Sequence, residues 1–193
     1  MNIVRLADAV PQPWRNGGGR TRELLGWPQG QDWKLRLSVA DVTADGPFSA
    51  FPGVERWFVV LQGDGVELQF EGVARRVIRG DAPIAFDGAQ APGCHLIGGA
   101  TLDLNLMVRQ DAGPAVLQAA PSDDAFGHGA PWRALFSTGP GTLHAGAQGA
   151  LALPAWALCW SDRATGGPWR WQPDDASTGA WWVGFHPIGP PAP

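Results

Sequence analysis

The sequence predicts an all-β protein, and a duplicated β-barrel fits it best. The chain of 193 residues contains 27 glycines and 18 prolines, which recur along its whole length. Short apolar or alternating segments lie between them, and long helical periodicity is hard to find, which is the pattern of a sandwich or a barrel. The second half repeats the turn-and-strand pattern of the first half with little sequence identity. A single sandwich of about a dozen strands is the alternative.

The first half carries the clearest strand signals. We predict strands at 33–42, 56–62, 66–70, 75–78, 84–86, 94–98 and 101–109. The apolar run 56–62 is typical of a strand that is buried on both faces. In 101–109, Asp103, Asn105 and Met107 alternate with apolar residues. Because successive side chains of a strand point to opposite faces, this polar face meets either solvent or the inside of a barrel mouth.

The second half has weaker alternation but the same organisation. We interpret 111–132 as a crossover, and the proline-rich tail 187–193 as unpaired. Strands are predicted at 132–136, 142–144, 151–153, 156–160, 169–171 and 181–185. The predicted domains are a barrel at 1–112 with a ligand site and a second barrel at 113–193, packed tightly on the first.

Composition excludes several classes of function. The 14 Lys and Arg residues against 18 Asp and Glu give a net charge of −4, whereas nucleic-acid binders usually show a basic face. Cys94 and Cys159 cannot form a disulfide framework. The N-terminus lacks the apolar core of a signal peptide, and no apolar run approaches the ~18 residues of a membrane span. We therefore expect a cytoplasmic protein with no nucleic-acid or membrane partner.

The residues that usually carry metal or nucleophilic chemistry are poorly placed. The four histidines, His95, His128, His144 and His186, are far apart in sequence, so we predict neither a metal nor another cofactor. Cys94 and His95 are adjacent on a strand and point to opposite faces, which disfavours thiol activation. The Gly-x-Ser-x-Gly motif of a nucleophile elbow is missing.

The run Asn16-Gly17-Gly18-Gly19 is unusual because consecutive glycines lose backbone entropy on folding. Trp14, Arg20 and Glu23 flank it with groups suited to recognition. Asn-Gly is also a strong hairpin-turn signal, so a structural turn and a binding loop both remain open. Neither a Walker motif nor a dinucleotide fingerprint accompanies the glycines.

Anion capture is the remaining chemistry that these residues suggest. Arg36 and Arg56, with Asn16 and Asn105, lie in segments that could converge on one barrel mouth. An inward-facing arginine needs an anionic partner, and a ligand carboxylate held by two parallel hydrogen bonds would provide one. An internal salt bridge is the alternative, and its candidate carboxylates are Glu23, Glu55 and Asp103.

Several motifs in residues 14–109 resemble the HutD/Ves family of small bacterial proteins. They are Trp14-x-Asn16-Gly17-Gly18-Gly19-x-Thr21-Arg22-Glu23, Arg36-x-Ser38-x-Ala40-x-Val42, Gly46-Pro47-Phe48-Ser49-x-Phe51-Pro52-Gly53-x-x-Arg56, Leu61-x-Gly63-x-Gly65 with Leu68, Phe86-Asp87-Gly88, Cys94-x-Leu96 and Asp103-x-Asn105-Leu106-Met107. Leu104 departs from the phenylalanine expected at that position. The second half contributes little to the resemblance.

The resemblance implies a bicupin fold, two cupin barrels in one chain, and a link to histidine utilisation (histidine catabolism). It implies binding of a pathway intermediate, with urocanate or N-formylglutamate as candidates, and regulation of the pathway. It brings no established catalytic activity. The Ves branch is associated with environmental stress, so the link to a single pathway is weaker there.

Together these observations predict a non-enzymatic protein that binds a small molecule and acts as a sensor or accessory protein. The predicted ligand-binding residues are Trp14, Asn16, Thr21, Glu23, Arg36, Ser38, Phe48, Arg56, Asn105 and Met107. A cupin-type metal-dependent oxygenase or isomerase is the alternative. A third hypothesis is an interaction module that exposes Trp132, Trp169, Trp171 or Trp181 to a partner. Whether the chain forms a homodimer stays open.

Overall fold

The computed structural model describes residues 1–127, 129–163 and 167–189. They form an all-β fold, as predicted. The strands are β1 (Asn2–Arg5), β2 (Pro11–Pro13), β3 (Gly19–Trp27), β4 (Leu35–Val42), β5 (Gly46–Pro47), β6 (Val54–Gln62), β7 (Val66–Phe70), β8 (Val73–Val77), β9 (Ile84–Asp87), β10 (Gly93–Leu96), β11 (Thr101–Arg109), β12 (Ala115–Ala119), β13 (Trp132–Ser137), β14 (Gly141–His144), β15 (Ala150–Leu153), β16 (Ala157–Ser161), β17 (Arg170–Pro173) and β18 (Ala180–Phe185). Short 3₁₀ turns occur at Leu6–Asp8, Gly88–Gln90 and Gly146–Gln148. Within the described ranges, no helix has the length and apolar character needed to cross a bilayer.

The chain divides into two compact units, Val10–Ala112 and Met1–Ala9 with Gly113–Pro193. The division after residue 112 coincides with the predicted boundary, but the prediction was wrong for residues 1–9. These residues belong to the other unit because β1 pairs with β16, with Asn2 opposite Trp160. The Leu6 N–H also donates a 2.8 Å hydrogen bond to the carbonyl of Trp156.

The Val10–Ala112 unit contains two antiparallel sheets. One has six strands in the order β2-β3-β4-β11-β6-β9, and the other has four in the order β5-β10-β7-β8. One apolar cluster includes Phe58 and Val60 from the first sheet and Val66 and Leu68 from the second. The two sheets therefore pack face to face. Polar residues of β4, β6 and β11 lie on the same face as this apolar cluster.

The other unit is also built from two antiparallel sheets, but tryptophans dominate its core. Five strands run in the order β1-β16-β13-β18-β12, and three in the order β15-β14-β17. Trp169, Trp171 and Trp182 are almost fully buried between them. Trp132 and Trp181 are buried as well. The hypothesis of an exposed tryptophan patch for a partner was therefore wrong, because these rings fill space inside the fold.

Most predicted strands are confirmed, and the missed strands have recognisable reasons. The strand β3 begins at Gly19, carries four polar residues at 20–23 and contains a bulge before Leu25. A bulge interrupts the period-2 pattern. The strand β12 lies inside the predicted crossover 111–132. Its alanines and glutamine carry a weak strand signal, and it forms by pairing along β18.

Candidate functional site

A cavity of about 810 Å³ opens in the Val10–Ala112 unit. Its wall comes from three central strands and from the loops before β3 and after β5. The lining residues are Gln12, Pro13, Trp14, Arg15, Asn16, Thr21, Arg36, Ser38, Ala40, Pro47, Phe48, Ser49, Ala50, Phe51, Arg56, Asp103, Asn105 and Met107. The cavity is therefore large enough for a compact organic molecule.

Strand register explains why its polar groups meet. On β11, Met107 lies opposite Arg36 of β4 and Arg56 of β6, and Asn105 lies opposite Ser38 of β4. Because these positions share the period-2 phase of their strands, all of their side chains project from the same face of the sheet. The predicted convergence of Arg36, Arg56 and Asn105 on one site is thus found in the structure.

Arg56 lies in the cavity wall, and only 6% of it is exposed. Its guanidinium carbon lies 5.0 Å from the ring centre of Phe48, 5.2 Å from that of Phe86 and 5.7 Å from that of Phe51. The faces of aromatic rings attract cations. Desolvation lowers the pKa of Arg56 to about 10. The negative charge of Asp103 acts in the opposite direction, and the positive charge of Arg36 lowers the pKa further. Arg56 therefore remains cationic at neutral pH.

Backbone hydrogen bonds hold two of these three phenylalanines, Phe48 and Phe51, in place. The N–H of Phe48 donates to the carbonyl of Pro92 at 2.9 Å, and that of Phe51 donates to the carbonyl of Gly88 at 2.8 Å. A β-carbon on Gly88 would lie 2.7 Å from the Phe51 oxygen and 2.8 Å from that of Val54. Glycine at position 88 therefore allows the loop that carries Phe51 to approach closely.

Asn105 connects Arg56 to a buried carboxyl group. Arg56 Nη2 donates a 2.9 Å hydrogen bond to Asn105 Oδ1, and Asn105 Nδ2 donates to Asp103 Oδ1. Asp103 is fully buried, and no described residue makes a hydrogen bond with its Oδ2. Desolvation raises its pKa to about 8, although Arg56 and the Asn105 hydrogen bond act in the opposite direction. At neutral pH most of Asp103 is therefore protonated.

Arg36 and Glu23 form an ion pair, with Arg36 Nε 2.9 Å from Glu23 Oε2. Both side chains are partly exposed, 20% for Arg36 and 41% for Glu23. Glu23 lies outside the cavity lining. Of the two alternatives left open by the sequence, Arg36 takes the internal salt bridge. Arg56 differs, because none of the described ion pairs includes it.

The glycine run forms a tight loop at the cavity rim. The Gly18 N–H donates to Asn16 Oδ1 at 3.0 Å, and Gly17 has a positive φ of 72°. Trp14 Nε1 donates to Thr21 Oγ1 at 2.8 Å. Asn16 therefore stabilises the turn and also borders the cavity. The Thr21 hydroxyl positions the indole ring of Trp14.

The donor groups of the cavity do not suit a divalent metal ion. Three arginines, Arg15, Arg36 and Arg56, and no histidine line it. Elsewhere, His95 lies at the surface beside Asp45, and His144 is exposed. His128 is outside the described residues. Across the described parts of the chain, no three His, Cys, Asp or Glu residues are placed to bind one ion.

Nine of the ten predicted ligand-binding residues line the cavity, and Glu23 is the exception. Sequence reasoning missed Asp103 as a cavity residue and considered it only as a counter-ion. Its signal was present, since Asp103 shares a strand face with Asn105 and Met107. Phe51 was also missed, although it stands three residues after Phe48 in the same loop.

In its fold the protein is cupin-like, with antiparallel sheets that enclose an arginine-lined cavity. Oxalate decarboxylase from Lactobacillus farciminis in its formate complex aligns over 97% of this chain and 87% of its own, with a TM-score of 0.67 and 10% identity. That identity shows the fold alone. The HutD family model matches residues 6–172, so the chain belongs to the HutD family. The predicted relation to HutD and Ves is confirmed.

Relatives of known sequence or structure support this assignment. An uncharacterised 21.2 kDa protein from the hutC 3′ region of Pseudomonas putida is 39% identical over 109 residues, 55% of this chain and 57% of that protein. Protein Ves of Cronobacter sakazakii is 35% identical over 108 residues, 55% of this chain and 60% of that protein. The matched stretches thus span less than two thirds of these relatives. HutD from Pseudomonas fluorescens SBW25, solved in a formate condition, covers 97% of this chain and 99% of its own, with 27% identity and a TM-score of 0.85.

Proposed function

We propose that this chain is a non-enzymatic protein that binds a compact carboxylate in its cavity and modulates histidine utilisation. The observation that carries the proposal is Arg56, a buried cation in the cavity wall that belongs to none of the described ion pairs. A buried charge without a partner is unfavourable. A ligand carboxylate would provide the missing partner.

The surroundings of Arg56 favour a carboxylate in particular. A guanidinium group presents its N–H groups as a planar fork that matches two carboxylate oxygens. One N–H group already binds Asn105, and Nη1 makes only a long 3.4 Å contact with the carbonyl of Ser49. This weak contact can be exchanged for a stronger, charge-assisted hydrogen bond to the ligand.

The charge balance of the cavity agrees with an anionic ligand. Glu23 neutralises Arg36. Asp103 is mostly protonated at neutral pH because burial raises its pKa to about 8. Arg15 also lines the cavity, but it is exposed to solvent. Arg56 is thus the buried charge that remains uncompensated among the described ion pairs, and it attracts a single carboxylate.

The other cavity residues have distinct roles in this proposal. Trp14, Phe48 and Met107 form apolar walls, while Asn16 and Ser38 offer polar groups to the rest of the ligand. Thr21 acts indirectly by fixing Trp14 through the 2.8 Å hydrogen bond. Glu23 serves as the counter-ion of Arg36.

The proposed link to histidine utilisation rests on the family and on the hutC neighbourhood of the Pseudomonas putida relative. Urocanate and N-formylglutamate are the candidate ligands, since each combines a carboxylate with further polar atoms. A cytoplasmic setting belongs to the same proposal, and the two cysteines are free and buried.

A bicupin architecture is likewise part of the proposal. Each unit contains two antiparallel sheets that pack around one apolar cluster. The tryptophan rings fill this space in one unit, whereas the other unit keeps a polar cavity. Duplication followed by loss of one site would explain both features.

Thermal unfolding with added ligand tests the proposal. Three proteins are compared: the wild type, Arg56→Ala and the control Arg75→Ala, in which an exposed arginine on β8 is replaced. Each is heated with formate, urocanate, N-formylglutamate, histidine or glutamate. A ligand at 100 times its dissociation constant adds about 2.7 kcal/mol. We expect stabilisation of the wild type and of Arg75→Ala by at least one carboxylate, and none for a folded Arg56→Ala.

Two results would contradict the proposal. A folded Arg56→Ala variant that keeps the full ligand response would remove Arg56 from the site. Chemical conversion of the stabilising ligand by the protein, detected by chromatography of the mixture, would show that the protein is an enzyme. Arg56→Lys provides a second variant if Arg56→Ala does not fold, because it keeps the charge and removes the fork.

A further inference from the structure

Three side chains on the inward face of β6 and β11 form one continuous hydrogen-bonded chain. Arg56 donates to the oxygen of the Asn105 amide, and the nitrogen of the same amide donates to Asp103. An amide has one accepting end and one donating end. The two partners therefore fix the orientation of Asn105, which binds the Arg56 cation at one end and the Asp103 carboxyl group at the other.

This arrangement keeps Arg56 and Asp103 apart. The described ion pairs include neither of them. Asp103 is fully buried, and its Oδ2 has no hydrogen-bond partner among the described residues. An ionised carboxylate with an unpartnered buried oxygen is strongly disfavoured, so the neutral acid is the form that this environment accommodates.

The other charged and titratable groups near Asp103 do not change this balance. They are Arg36, Asp41 and Cys94. Arg36 is compensated by Glu23. Asp41 raises the pKa of Asp103, and it is itself paired with Arg20 and Arg22. Burial raises the pKa of the Cys94 thiol to about 12, so this thiol is neutral. Arg56 is thus the group that favours ionisation of Asp103.

We propose that the site binds its carboxylate together with a proton, which Asp103 holds. The proposal rests on the proposed function, since it requires an anion at Arg56. An anion beside Arg56 cancels the positive charge that favours ionised Asp103. Conversely, a proton on Asp103 leaves Arg56 free to attract the anion. Binding of the anion and of the proton therefore strengthen each other, and this coupling is reciprocal.

The coupling has a definite direction with pH. At low pH Asp103 already holds its proton, so the anion binds without proton uptake. As the pH rises and Asp103 ionises, each binding event must first take up one proton. The dissociation constant of the anion then increases by about tenfold per pH unit. The site is thus selective for anions as long as Asp103 stays neutral.

Formate is the probe for the test, because it carries one carboxylate and remains ionised between pH 6 and 9, a range in which Arg56, with a pKa of about 10, also stays cationic. Its dissociation constant is measured across this range for the wild type, Asp103→Asn and Glu67→Gln. Glu67 is an exposed carboxylate on β7 and serves as the matched control. We expect weaker binding with rising pH for the wild type and Glu67→Gln, and a constant affinity for Asp103→Asn.

Infrared difference spectra between the wild type and Asp103→Asn provide a second readout that needs no ligand. A carbonyl band from a protonated carboxylic acid, present near pH 6 and lost at higher pH, would support the proposal, and its absence at pH 6 would overturn it. Wild-type affinity that is independent of pH, or an equal pH dependence in a folded Asp103→Asn, would also overturn it while leaving the proposed function intact. If formate does not bind, the same titration is made with whichever carboxylate stabilises the wild type, and failure of all five compounds to bind at any pH would overturn both proposals.

Discussion

Trp14 covers Gly19 so closely that a β-carbon on residue 19 would lie 3.0 Å from its indole ring and would clash with the carbonyl oxygen of Asp41. This contact explains why the last glycine of the run is required. The ring lies at the cavity rim, and its Nε1 is fixed by Thr21. A local sequence feature thereby determines the position of one cavity wall.

Replacement of Gly19 by alanine should destabilise the protein. The added methyl group has no room, and overpacking of this kind costs about 1–3 kcal/mol. Chemical denaturation measures the loss, and the displaced Trp14 should also weaken ligand binding. Gly99→Ala is the matched control, because Gly99 has open space around its Cα position and an ordinary φ. Equal stability of the two variants would contradict the close contact.

Replacement of Asp103 by asparagine should change the pH dependence of stability. Burial raises the pKa of folded Asp103 to about 8 from its ordinary value of 3.8. The free energy of unfolding of the wild type is therefore highest below pH 3.8. It falls by about 1.4 kcal/mol per pH unit as the pH rises towards 8. Asparagine does not titrate, so the free energy of unfolding of the variant does not fall for this reason. The difference between the variant and the wild type should therefore increase in favour of the variant between pH 5 and 9. Urea denaturation at several pH values checks this, and parallel curves would show that Asp103 is ionised throughout.

Replacement of Glu23 by glutamine should strengthen anion binding. The change removes the counter-ion of Arg36 and leaves a second uncompensated cation in the cavity wall. Because the pair is partly exposed, the loss of stability should be at most about 1 kcal/mol, while the affinity for formate should rise by about two- to fivefold. Calorimetric titration measures the affinity. Asp111→Asn, which breaks the exposed pair with Arg109 outside the cavity, should leave it unchanged.

The sequence predicted much of the candidate site because its signals are local. Alternation along β11 placed Asn105 and Met107 on one face, and the same period placed Arg36 and Ser38 on one face of β4. The glycine run and the loop around Phe48 contain several recognition groups within a few residues. Signals of this kind require only the chain's own periodicity.

Other features required the fold. The role of Asp103 depends on its complete burial and on the interposed Asn105, which a one-dimensional pattern cannot show. Phe86 reaches Arg56 because β6 and β9 pair with these two residues opposite each other, and their separation in sequence gives no hint of this.

The sequence by itself determined the all-β class, the family and half of the residues that line the cavity. Only the tertiary structure decided that Glu23 pairs with Arg36 while Arg56 keeps its charge, and that β1 joins the other unit by pairing with β16. The physical reason is that strand periodicity is a local property, set by alternating side chains along one segment. Charge pairing and desolvation, in contrast, depend on which distant strands become neighbours.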